Sequence, residues 1–74
     1  MNGGFDMFIA VLETKYQVYA IGETKEEAEK NLLKGYKKSF PKDEREFENP
    51  KSAEELIEHF GGGIYQTKNG FAIQ

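Results

Sequence analysis

Apolar positions change their spacing along this chain, and each change marks a new element. From about Phe5 to Glu13, the residues Phe8, Ala10 and Leu12 alternate with Met7, Ile9 and Val11. An extended chain therefore shows apolar side chains on both of its faces. Such a strand belongs at the centre of a sheet or under cover on both sides. Tyr16 to Ile21 reads as a second strand from its β-branched and aromatic content. The short Thr14-Lys15 link between the two predicts a hairpin.

Beyond Gly22 the spacing becomes helical. Ala28, Leu32, Tyr36 and Phe40 recur every fourth residue with Leu33 beside them, which gives one apolar face. Thr24 and Glu27 form a capping box at the start. Lys34, Lys37 and Lys38 crowd the last turn, where the helix dipole favours cations, and Pro41 ends the run. Residues 41–50 read as an irregular loop, with Phe47 as its one apolar anchor. Ser52 and Glu55 open a second helix, in which Ala53, Leu56, Ile57 and Phe60 share a face. Gly61-Gly62-Gly63 reads as its cap and a flexible linker. Ile64–Thr67 and Phe71–Ile73 read as strands around Asn69-Gly70, a strong hairpin signal.

The order β-β-α-α-β-β predicts a two-layer α+β domain over residues 1–74, with Met1–Gly4 as a flexible leader. The expected architecture is one antiparallel four-stranded sheet with both helices on one face. A chain of 74 residues builds only a thin core, and small scaffolds commonly add a disulfide, a metal or a partner. With no cysteine, disulfides and thiolate chemistry are excluded, which leaves dense packing or oligomerisation. Ten Lys and Arg against thirteen Asp and Glu give a net charge of −3, the opposite of a basic nucleic-acid-binding surface. No apolar run reaches membrane-spanning length and no signal-peptide pattern opens the chain, so no membrane partner and a cytoplasmic location are expected.

The chemistry-bearing residues are few. His59, the one histidine, sits in the last turn of the second helix with no identifiable catalytic partner, and reads as a surface imidazole favoured by the dipole. Asp43, Glu44, Glu46 and Glu48 lack the ligand register of a calcium loop. The triple glycine follows a helix, whereas a phosphate loop precedes one. No catalytic residue, cofactor or metal is therefore expected, and the chain does not read as an enzyme. Lys30, Lys34, Lys37 and Lys38 form a small cationic ridge that could meet an acidic protein surface or phosphate. Tyr16 and Tyr19 point to opposite faces of one predicted strand, and an exposed tyrosine is a natural contact residue.

The stretch from Ile9 to Lys38 is a hairpin followed by Gly22-Glu23-Thr24-Lys25-Glu26-Glu27-Ala28-Glu29-Lys30-Asn31. It resembles the HicB-like antitoxin family, which carries a strand, a G-x-T-x-E-E-A-like turn and an amphipathic helix in this order. The P-D-L-P-G-C-like segment common in that family is absent. The resemblance implies a core that binds a partner protein.

These readings converge on a small protein-binding or regulatory module, antitoxin-like or inhibitory, with Tyr16, Tyr19, Lys30, Lys34, Lys37 and Lys38 as candidate contacts. A nucleic-acid module using the lysine ridge is the alternative. Two helices cover only one face of a sheet, so either Phe8, Ala10 and Leu12 or Met7, Ile9 and Val11 are left as an apolar patch. A homodimer or a complex with another small protein is the expected way to bury it.

Overall fold

The computed structural model describes residues 7–68 and 71–72. Strands β1 (Phe8–Glu13) and β2 (Gln17–Gly22) lead into helix α1 (Lys25–Ser39). A 3-10 turn at Lys42–Glu44 precedes helix α2 (Ala53–Phe60), then strands β3 (Gly62–Lys68) and β4 (Phe71–Ala72).

β1 is the central strand, antiparallel to β2 on one side and to β3 on the other. β2 and β3 are therefore parallel to each other. One crossover carrying both helices links them, and both helices pack on the same face of the sheet. The expected four-stranded sheet is corrected to three strands in the order β2-β1-β3. β1 pairs with β3 only from Gly62 to Gln66, whereas β4 is a two-residue ladder on Thr67 and Lys68, past the end of that pairing. Asn69-Gly70 and Ile73 lie outside the described residues.

The first hairpin also differs from expectation. Glu13 pairs with Gln17, so its loop is Thr14-Lys15-Tyr16, and β2 starts one residue later than its composition predicts. The Thr14 hydroxyl closes this loop by accepting from the Tyr16 amide at 3.1 Å and donating to the Tyr16 carbonyl.

Ala10, Leu12 and Ala20 of the sheet, Ala28, Leu32 and Tyr36 of α1, and Ala53 and Leu56 of α2 form the core. The alanines let α1 lie close on β1 and β2. At Gly22 the approach is closer still, since a Cβ there would stand 2.4 Å from the Ala28 amide nitrogen. Thr24 caps α1 by accepting from the Glu27 amide at 3.0 Å, and Ser52 caps α2 by accepting from the Glu55 amide at 3.2 Å. Each glutamate returns a bond to the residue before the cap: Glu27 accepts from the Glu23 amide, Glu55 from the Lys51 amide.

Between the helices, Arg45 donates to the carbonyls of Lys37 and Glu48 at 2.9 Å each and to that of Phe40. At Lys37 and Phe40 the guanidinium satisfies orphan acceptors at the C-terminus of α1 and opposes the negative end of its dipole. The buried Tyr36 hydroxyl donates to the Phe47 carbonyl at 3.1 Å and accepts from the Phe47 amide at 3.3 Å. The triple glycine is no flexible linker. Gly61 caps α2 at φ +97°, donating its amide to the Ile57 carbonyl, and Gly62 and Gly63 already belong to β3. Gly62 holds φ +133°, and a Cβ there would fall 2.0 Å from the Val11 carbonyl oxygen.

Candidate interaction surface

The alternation of β1 determines what the helix-free face carries. Phe8, Ala10 and Leu12 turn towards the helices, so Ile9 and Val11 turn away. Ladder registry adds their neighbours: Ile9 lies between Ile21 and Tyr65, and Val11 between Tyr19 and Gly63. Cross-strand partners share a face, so Ile9, Val11, Tyr19, Ile21 and Tyr65 form one continuous apolar and aromatic surface. Tyr65 lies back along its strand, with its hydroxyl 2.8 Å from where a Cβ of Gly63 would stand. Tyr19 is 60% exposed and Ile21 55%. The Tyr19 hydroxyl is hydrogen-bonded to the Gln17 side-chain oxygen, which lays the ring along the strand.

The candidate contacts read from sequence fall in three separate places. Tyr19 joins the open face. Tyr16 leaves the strand for the hairpin loop, 63% exposed, with the Lys15 ammonium 5.9 Å from its ring centre. There it lines a cleft of about 370 Å³ with Phe40, Pro41, Glu44 and Phe60, on the helix side of the sheet. Lys30, Lys34, Lys37 and Lys38 are all exposed on α1, which covers the opposite face from the Tyr19 patch. The ridge and the apolar surface cannot contact one flat partner together.

The residues that build the surface beside Tyr19 become visible only with the strand registry. Period-two alternation places Ile9 and Val11 on a face of their own, but nothing local aligns Ile21 or Tyr65 with them.

His59 has a partner that sequence spacing does not reveal. Its Nε2 lies 2.8 Å from Glu46 Oε2, and its ring makes edge contacts with Phe47 and Phe60 at 5.1 and 4.6 Å between centroids. The histidine side chain is 39% exposed and the glutamate 72%. An ion pair in that setting contributes little to stability. Glu55 and Glu58 line the hollow beside it, and no group of three or more His, Asp or Glu among the described residues is arranged to hold a metal ion. No helix among them is long and apolar enough to cross a membrane. In comparisons with known proteins, no family model, no curated protein and no solved structure matches the chain.

Proposed function

We propose that this chain is a small protein-binding module that engages another small protein through the open face of its sheet. The observation that carries the reading is the unbroken surface of Ile9, Val11, Tyr19, Ile21 and Tyr65 on a face that neither helix covers. Contiguous exposed apolar surface is characteristic of interaction sites, and tyrosine is enriched at their centres. The resemblance of residues 9–38 to HicB-like antitoxins supports the same direction: a regulatory protein, antitoxin-like or inhibitory, that acts by binding rather than by chemistry.

The test compares three proteins as bait in cells of the source organism: wild type, Tyr19→Ser/Ile21→Lys, and Lys30→Gln/Lys34→Gln/Lys37→Gln. Both altered sets are solvent-exposed, so folding should be retained, as circular dichroism checks. An interactor recovered with wild type is then purified and titrated calorimetrically against each. Binding should weaken at least tenfold for the sheet variant and stay within about threefold for the lysine variant and for His59→Gln, since surface positions away from a contact have small effects. Full affinity in the sheet variant would refute the reading. Salt-dependent binding of nucleic acid that only the lysine variant loses would replace it with the cationic ridge.

A further inference from the structure

The outer edge of β2 presents backbone groups that β1 does not use. In an antiparallel ladder alternate residues direct both N–H and C=O to one neighbour. The Glu13 amide donates to Gly61 at 3.0 Å and the Met7 carbonyl accepts from Thr67 at 2.7 Å, so odd-numbered residues of β1 bond towards β3. Their ladder partners on β2, namely Gln17, Tyr19 and Ile21, consequently direct their backbone groups away from β1. The structure shows this directly at Ile21, whose carbonyl accepts from the Asn31 side-chain amide at 2.8 Å on the outer side. Among the described residues nothing bonds to the remaining outward groups, which form a free sheet edge. Natural edges are commonly guarded by lysine, proline or a bulge, and Gln17-Val18-Tyr19-Ala20-Ile21 has no charge and no proline.

Helix α1 carries a second, independent sign on the same flank. Gly35 sits one turn beyond Asn31, in the interior of the helix. Glycine there destabilises a helix by about 1 kcal/mol relative to alanine. Nothing among the described residues requires it, because a Cβ at Gly35 has no neighbour there within 4 Å. Its level along the edge follows from the two rises. Ile21 to Tyr19 is about 6.6 Å of strand, which matches about four residues of helix counted from Asn31. Gly35 therefore lies level with Tyr19, at the middle of the free edge.

We propose that two copies of this chain associate by antiparallel pairing of their β2 edges about a two-fold axis at Tyr19, with their α1 helices passing each other at Gly35. In this register Tyr19 exchanges both backbone bonds with its own copy, and Gln17 pairs with Ile21 in both directions. The Ile21 carbonyl has a second lone pair for the new bond beside the one Asn31 uses. The axis brings the helices, each lying over β2 and β1, to about the 8–10 Å of ordinary helix packing. A position without a Cβ suits the point of closest approach. Lys34 and Lys38 border Gly35 on this flank, so the two copies bring four ammonium groups near the axis, a repulsion that added salt screens. The result is a continuous six-stranded sheet with both open faces on one side, which leaves the surface proposed above free for its partner.

The inference stands on the edge and the helix flank, so it can fail while the open-face reading holds. Its test is sedimentation equilibrium from micromolar to millimolar protein, combined with amide exchange at both ends of that range. A dimer is expected in which the Gln17, Tyr19 and Ile21 amides become at least tenfold slower to exchange than in dilute monomer, while Val18 and Ala20, already bonded to β1, change little. Gly35→Lys fits the monomer and should raise its melting point in dilute solution by a few degrees, as a better helix former does, yet weaken the dimer at least tenfold. A monomer at millimolar concentration would overturn the proposal. So would a dimer whose three outward amides exchange freely, as in face-to-face packing, or one of unchanged affinity in a folded Gly35→Lys protein.

Discussion

Tyr36→Phe isolates one hydroxyl in a ring that otherwise stays in place. The Tyr36 ring packs at 5.0 Å from Phe40 and 5.8 Å from Phe60 between centroids, and phenylalanine keeps both contacts. Only the two bonds to Phe47 are lost, one to its carbonyl and one from its amide. A buried backbone group left without a partner costs about 1–3 kcal/mol. Phe47 is only half-buried, so water recovers part of that, and a loss of about 1–2 kcal/mol is expected. For a domain of this size each kcal/mol moves the melting midpoint by roughly 4–8 °C, giving a drop of about 5–15 °C. Calorimetry reads the midpoint, and amide exchange at Phe47 reads the bond itself. A midpoint within about 2 °C of wild type, with Phe47 exchange unchanged, would show that the hydroxyl does not hold the interhelical segment.

Thr24→Ala and Ser52→Ala each remove a side-chain cap and should cost about 1 kcal/mol, read from urea titrations; unchanged midpoints in both would refute the cap assignments. Gly62→Ala should cost more than about 3 kcal/mol or abolish folding, because the new Cβ meets the Val11 carbonyl oxygen in a backbone conformation that side chains avoid. Gly61→Ala, whose Cβ would meet nothing among the described residues closer than the Glu13 carboxylate at 3.7 Å, should cost about 1–3 kcal/mol from its backbone conformation alone, and equal losses at the two positions would contradict the close approach of β3 to β1.

Local signals in this sequence read well and distant ones did not. The two helix starts rest on hydroxyls three residues from the amides they bond, and spacing alone exposes that pattern. Alternation in β1 placed Ile9 and Val11 apart from Phe8, Ala10 and Leu12 for the same reason. Strand order is a different matter, because it depends on which edges of β1 are filled by segments far along the chain. Gly62 illustrates the limit: its need for positive φ arises only once β3 lies against Val11, so in sequence it looks like slack after a helix. The three-residue turn at Thr14–Tyr16 removed Tyr16 from the strand and from the surface that Tyr19 occupies. Glu46 and His59, thirteen residues apart, meet where the segment between the helices folds back, tied to α1 by Arg45 and Tyr36.

The direct passage from α2 through Gly61 into β3 has a further consequence for how the chain tolerates change. A helix that becomes a strand with no intervening loop has no length to give, so displacement of one element is transmitted to the other as though by a rigid rod. One added residue after Gly61 would reverse which side of the sheet each β3 side chain faces, moving Ile64 out of the core and Tyr65 into it. The 3-10 turn between the helices has no such parity to keep, because no strand ladder passes through it. Insertions, tags and natural length variation should therefore accumulate around Lys42–Glu44 and be absent between Phe60 and Ile64, whatever the protein binds.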